Sequence, residues 1–318
     1  MNRASAAMVA EALRDLTSVV IISHVRPDPD TIGSALGLGL GLARLGIAVR
    51  CGYSGPETLP GALRELPGVE LLAPLSPAEE GGAAVAVDAA TVSRLGDYEA
   101  VFDASPTRVC IDHHVSNAGF GDLDFIDSES DCTAVLVLQV LDALGVELTA
   151  DIATCLYAGL VTDTGSFKWA RPASFEVAAR LLNAGVDGVR WSRVLLDSHP
   201  YSWLKMVSEV LGGSVFDREA CGGLGLVYGT VTAAQMAGMN WDESESVIDV
   251  VRTAQEAEVA AVFKESTPGE WTVSLRSKTT VDVVPIARAL GGGGHTRAAG
   301  YSDTGSADDV IGRLLAQL

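Results

Sequence analysis

Apolar residues in the first half of the chain come in short runs separated by stretches of mixed character. Ser18–Ser23, Ala48–Tyr53, 84–88 and Arg108–Asp112 are brief, β-rich and largely apolar, which predicts strands at or near the core of a sheet. Turn-forming residues and then helix-length segments follow them, the alternation that builds a parallel sheet from βα units. The first predicted helix, 31–45, has Gly33, Gly37 and Gly41 at every fourth position, giving it one smooth face. Glycines lower helix propensity, so close packing, here against the sheet, is the expected compensation. Further helices are predicted over Thr133–Leu144, 151–161 and 174–184, the last stopped by Gly185.

From 189 to 213 the pattern becomes mostly helical around Trp191, Pro200 and Trp203 and ends at Gly212-Gly213. Predicted strands at 224–231, 259–264 and 271–276 come next, then a helix at 283–290 and the glycine run 291–294. The fold expected is α/β. A parallel-sheet domain with helices on both faces occupies 1–188, a helical linker 189–213, and a smaller α+β domain 214–318. Two domains suit 318 residues, since single cores cluster near ~100 to 150 residues.

Charge narrows the ligands. Lys and Arg number 22 against 41 Asp and Glu, a net −19, and so acidic a surface repels the dense phosphate charge of a duplex. Long DNA is excluded as a ligand; a short phosphorylated substrate is not, because metal ions or a few arginines can offset the field in one cleft. Five cysteines without a C-x-x-C pair indicate neither a disulfide framework nor a zinc knuckle and fit a reducing cytoplasm. The apolar N-terminal stretch is interrupted by Glu11, Arg14 and Asp15, so no export signal is expected. The uncharged segment from 220 to 241 includes Arg-free, Gly-rich sequence that predicts a strand and a helix start, not a membrane span.

Chemistry-bearing residues gather at predicted strand ends, where open α/β sheets bind ligands. His24, Asp28 and Asp30 follow the first strand, with Pro27 and Pro29 stiffening the backbone between them. The plain structural alternative is that Asp30 caps the following helix and Asp28 belongs to a turn. Asp112-His113-His114 closes the fourth strand, and adjacent residues of a strand face opposite ways, so the two histidines need different partners. Asp88 ends a third run, and Asp163 lies in Thr162-Asp163-Thr164-Gly165. Aligned strand ends would collect these acids and imidazoles in one cleft. The glycine run lacks a following Gly-Lys-Ser/Thr and is no P-loop. With His295 and Arg297 nearby it predicts a loop whose bare N–H groups approach a phosphate or base.

The order His24-x-x-x-Asp28-x-Asp30, Asp88, Asp112-His113-His114, Asp163 resembles the four motifs of the DHH phosphoesterases. Ser274-Leu275-Arg276-Ser277-Lys278 and Gly291 to His295, with Ala298-Ala299-Gly300, resemble the DHHA1 domain. The similarity is greatest to the bacterial nanoRNase group, which combines oligoribonuclease and 3′-phosphoadenosine-5′-phosphate (pAp) phosphatase activity, and to related proteins acting on cyclic di-AMP or its linear product. Pro29 stands where family members commonly have glycine, and Ala89-Ala90 where a polar residue is frequent.

This resemblance implies two divalent metals. His24, Asp28 and Asp88 would hold one, Asp30, His113 and Asp163 the other, with Asp88 bridging and His114 facing the scissile phosphate. Mixed carboxylate and imidazole donors suit Mn²⁺ better than calcium or structural zinc. Arg276, Ser277, Gly292, Gly293, Gly294 and His295 would bind the nucleotide. Short RNA, pAp and cyclic or linear dinucleotides are the substrates implied, with a homodimer as the assembly. A manganese-dependent pyrophosphatase and a non-hydrolysing cyclic-dinucleotide sensor are the alternatives.

Overall fold

A computed structural model describes residues 4–55 and 58–318, and the chain divides after Ser198 into two compact units. The first contains α1 (Ala6–Arg14), β1 (Ser18–Ser23), α2 (Pro29–Arg44), β2 (Ala48–Tyr53), β3 (Gly82–Val87), α3 (Glu99–Asp103), β4 (Arg108–Asp112), β5 (Leu123–Ile126), α4 (Thr133–Leu144), α5 (Ala150–Asp163), α6 (Pro172–Asn183) and α7 (Gly188–Leu196). The strands form one sheet in the order β2-β1-β3-β4-β5, parallel throughout. Strands and helices predicted for this half are present, with ends displaced by a residue or two.

Three elements, β5, α1 and the five-residue α3, were not anticipated. β5 is a four-residue edge strand in which only Phe125 is buried, too short to stand out as a run. α1 buries Val9, Ala10 and Leu13 and is capped by Ser5, whose hydroxyl accepts from the Met8 N–H.

Alternation along the central strands divides the core. Val19, Ile21, Val85, Val87, Val109 and Ile111 face a large cluster with α2, α4 and α5. Val20, Ile22, Ala84 and Ala86 face the other side, covered by Leu95, Phe102 and their short helical turns. The glycine stripe of α2 meets α5 and α4, not the sheet. A Cβ on Gly33 would lie 2.2 Å from the Cys155 carbonyl oxygen, and one on Gly41 2.3 Å from Leu141 Cδ2. α2 and α5 thus cross at a distance that only glycine permits, and the compensation for lost helix propensity is helix–helix contact.

The second unit contains α8 (Tyr201–Gly212), β6 (Val215–Asp217), α9 (Ala220–Gly223), β7 (Leu226–Val231), α10 (Val247–Val251), β8 (Val259–Thr267), β9 (Glu270–Ser277), α11 (Val284–Ala289), β10 (Gly293–His295), β11 (Ala298–Thr304) and α12 (Ala307–Leu315). Its sheet runs β10-β11-β9-β8-β7-β6, antiparallel except for β7 and β8. Helices α11 and α12 cover one face and α8 and α10 the other. The expected linker is shared between the units: Trp191 of α7 is buried in the first core, and Met206, Val207 and Val210 of α8 in the second. Among the described residues no helix is long and apolar enough to cross a membrane.

The glycine-lined crossing makes a paired prediction. Gly33→Ala forces a methyl against a backbone carbonyl and should destabilise the protein by about 1 to 3 kcal/mol. Gly312→Ala, in α12 where a Cβ meets nothing within 4 Å, should stabilise it by up to about 1 kcal/mol. Denaturant unfolding of the two variants checks both signs; a Gly33→Ala protein as stable as the parent would refute the tight crossing.

Candidate functional site

Where β1 ends, the chain turns sharply. Arg26 adopts a left-handed conformation with φ 53°, and Asp28 becomes the N-cap of α2, one carboxylate oxygen accepting from the Asp30 and Thr31 N–H groups at 3.1 and 3.0 Å. Its other oxygen lies 3.4 Å from His24 Nε2. The cap of α2 is therefore Asp28, where the plain structural alternative had placed Asp30. Asp30, fully buried, turns inward and caps a different helix. It accepts from the N–H groups of Thr133 and Ala134 at 2.7 and 3.0 Å, at the start of α4, whose own N-cap Cys132 contributes no side-chain bond.

Asp88 follows β3 in a left-handed conformation, φ 59°, unusual for a residue with a Cβ and characteristic of strained functional positions. One of its oxygens lies 3.5 Å from His24 Nε2 and the other 3.5 Å from His113 Nε2. His113 Nε2 is also 3.3 Å from Asp163 and 3.9 Å from Asp30. The structure thus brings together all six residues named as metal donors. Donor atoms of His24, Asp28 and Asp88 lie within 4.8 Å of one another, and so do those of Asp30, His113 and Asp163.

His114 has a hydrogen-bond partner of its own, although its Nδ1 also lies 3.7 Å from the Asp88 oxygen that faces His113. The same Nδ1 is 2.7 Å from an Asp112 oxygen, while the other Asp112 oxygen accepts from Asn117 Nδ2 at 2.6 Å. Asn117 also donates to the Ala89 carbonyl at 3.0 Å. Asp112 had no assigned role and Asn117 was missed; a lone Asn in a turn has no sequence signal that separates it from a turn former.

Asp163 ends α5 and is followed by three successive left-handed residues, Gly165, Ser166 and Phe167. Trp169 closes this turn, its indole N–H donating to the Asp163 carbonyl at 2.6 Å. Its ring packs so tightly on Gly165 that a Cβ there would lie 2.1 Å from it. Sequence pattern alone did not reveal this clamp.

Electrostatics follow from the crowding. Burial, then the Asp28 charge, pushes Asp30 up to about 6 against its helix N–H donors. Burial and the charges of Asp30 and Asp28 hold Asp88 well above the usual carboxylate range. Asp28 goes the other way: burial raises it, but His24 and the Thr31 N–H outweigh that. Burial and the His114 charge lower His113 to about 4, leaving a neutral imidazole with a lone pair. For His114, burial is overcome by the charge and hydrogen bond of Asp112, and the group rises to about 9. Like charges forced together out of water with the neutral His113 imidazole among them form a cation site, and oxygen with nitrogen donors suits divalent metals of the Mg²⁺ and Mn²⁺ kind.

In the second unit Arg276, Ala298 and His295 are directly paired across β9, β11 and β10, which places Arg276 and His295 on one face of the sheet. The next row, Ser274, Gly300 and Gly293, gives that face a low floor. Ser277 does not join them, because its hydroxyl donates to Glu258 at 3.0 Å. The second half of the glycine run, Gly293 and Gly294, lies in the edge strand β10, while Gly291 and Gly292 form the turn that leads into it. A Cβ on Gly292 would lie 2.0 Å from the Gly300 carbonyl oxygen, and one on Gly294, at φ 137°, 2.5 Å from that of Ala298, so close strand approach accounts for both.

Residues 18–160 match the model of the DHH family, N-terminal domain, and residues 228–318 that of the DHHA1 domain. The bifunctional oligoribonuclease and PAP phosphatase NrnA of Thermus thermophilus is 36% identical over 313 residues, 97% of this chain and 91% of its own. The protein of the same description from Bacillus subtilis is 25% identical over 98% of this chain and 97% of its own. A crystal structure of an exopolyphosphatase-related protein from Bacteroides fragilis shares the fold, with a TM-score of 0.83 at 21% identity over 97% of this chain and 94% of that one. With a DHH domain followed by a DHHA1 domain, and a relative this similar along almost its whole length, the chain belongs to the DHH family.

Proposed function

We propose that this protein is a two-metal phosphoesterase that hydrolyses short oligoribonucleotides, pAp and linear or cyclic di-adenylate to mononucleotides, with Mn²⁺ as its metal. The observation that carries the proposal is the pair of three-donor groups joined by Asp88, which offers one oxygen to each. His24, Asp28 and Asp88 hold one ion, and Asp30, His113 and Asp163 the other. Paired ions at such a site supply Lewis acidity to phosphoryl oxygens.

The chain's own groups do the rest. Asp112 fixes the proton on His114 Nδ1, which turns Nε2–H toward a phosphoryl oxygen or leaving group. Arg276 and His295 grip the nucleotide from their shared face, Arg276 by the fork geometry that suits phosphate. The DHHA1 match favours a nucleotide substrate over pyrophosphate, and retention of all six donors favours catalysis over sensing. Five free cysteines fit a cytoplasmic setting, and we take a homodimer as the working assembly.

Side-by-side assay of short RNA, pAp, linear di-adenylate, cyclic di-AMP and pyrophosphate with Mn²⁺ should show turnover of the nucleotides. Phosphate release from pyrophosphate above all of them would make it a pyrophosphatase, and tight binding of cyclic di-AMP without product a sensor. Asp88→Ala should lose activity and weaken both metals, whereas His114→Ala should keep metal and lose roughly 10² to 10⁴ in turnover. Arg276→Ala and His295→Ala should raise KM for nucleotides with the metals still bound, and should affect the generic diester bis-p-nitrophenyl phosphate much less.

Metal affinity should also rise with pH. Asp30, at about 6, and the raised Asp88 must shed protons to bind a cation, so acid opposes loading. Calorimetry in buffers of different ionisation enthalpy should detect more protons released per metal below the Asp30 value than well above it. Equal release at both pH values would contradict the proposed ligand roles of these carboxylates.

A further inference from the structure

Arg94 lies six residues beyond Asp88 on a short helical turn, Val92–Tyr98, that is fastened to the strand ends. Its carbonyl accepts from the Val25 N–H at 2.8 Å. Gly96, left-handed at φ 57°, sits so close that a Cβ would be 2.7 Å from Val25 Cγ1. Ser54 accepts from the Asp97 N–H at 2.9 Å and donates to the Asp97 carboxylate at 3.0 Å. The backbone of Arg94 is therefore fixed beside the donor cluster, while its side chain is solvent-exposed.

Its guanidinium Nη2 lies 3.0 Å from His24 Nδ1. That same Nδ1 is 2.8 Å from the Val25 carbonyl oxygen, and one ring nitrogen cannot donate to the carbonyl and accept from the arginine at once. For Nε2 to present a lone pair toward Asp28 and Asp88, Nδ1 must carry the proton and give it to Val25. Arg94 then keeps its donors for another acceptor. Arg14, Arg44, Arg108, Arg171, Arg180 and Arg190 of the same unit each face a carboxylate within 4 Å. Arg94, like Arg50, Arg64 and Arg193, has no such ion pair among the described residues, but unlike them it contacts a residue of the donor cluster. In a chain of net charge −19, an exposed guanidinium held beside the acidic cluster, its charge reaching Asp28 without a direct salt bridge to it, is set for an anion that arrives from solution.

We propose that Arg94 grips the phosphoryl group under attack, donating to a non-bridging oxygen of the substrate. The inference rests on the phosphoesterase reading above and adds to it a cation from the first unit, at the reacting phosphate itself. Planar N–H pairs match phosphate oxygens, and a charge-assisted bond of this kind is among the stronger polar contacts.

The test uses the full-length protein loaded with Mn²⁺, comparing wild type, Arg94→Ala and Arg94→Lys. Elemental analysis should find the same metal content in all three. Calorimetry with inorganic phosphate should show affinity falling roughly tenfold to a hundredfold in Arg94→Ala, and kcat/KM for both pAp and bis-p-nitrophenyl phosphate should fall by a similar factor. Arg94→Lys should recover part of the loss, as a point charge does, and added guanidinium should speed the alanine variant more than wild type. Loss of metal from Arg94→Ala would overturn the proposal and make Arg94 a support for His24. Unchanged phosphate affinity with unchanged rates would overturn it as well. A wild type with no phosphoesterase activity would instead defeat the earlier reading, and phosphate affinity would still decide for or against Arg94 as an anion grip.

Discussion

Carboxylates that repel one another, held out of water at the edge of a parallel sheet, are the constraint around which the first unit is organised. Asp30 and Asp88 are almost wholly buried, and an unpaired buried charge costs several kcal/mol. The fold meets this with donors that need no titratable partner. N–H groups at the start of α4 reach Asp30, those of α2 reach Asp28, and the Thr133 hydroxyl reaches Asp88 at 3.0 Å. Helix N-termini aimed at the cluster soften its charge without filling the positions that face inward. What remains uncompensated is matched to cations.

Packing and chemistry are joined at the crossing of α2 and α5. The glycine stripe of α2 faces α5, and Gly159 of α5 answers it: a Cβ there would lie 2.3 Å from the Asp30 carboxylate. Asp30 near the start of one helix and Asp163 at the end of the other are brought to the same imidazole by that close approach. Side-chain size at a few helix positions sets the separation of two candidate ligands.

Much of this was legible in the sequence because the signals were local. Apolar runs of strand length marked β1 to β4, and acids or imidazoles at the ends of β1, β3 and β4 marked the cleft. Residues that act through tertiary partners left no such trace. Asp30 capping α4 depends on two helices a hundred residues apart in sequence meeting at one end. Asn117 supporting Asp112, and Trp169 clamping the Asp163 turn, depend on contacts that no periodicity encodes. The glycine run was divided for the same reason: a turn and a tight edge strand both demand glycine, and only the position of β11 shows where one gives way to the other.

The donors that converge in space are far apart in the order of synthesis. His24, Asp28 and Asp88 precede Asp163 by 75 residues or more, and Asp30 obtains its helix N–H groups only from Thr133 and Ala134. A chain leaving the ribosome therefore exposes the first trio of donors well before the second can exist. Metal encountered at that stage meets a half-built site with Asp30 still in water. Because domains fold largely as units during translation, the paired site is complete only once α5 has been made.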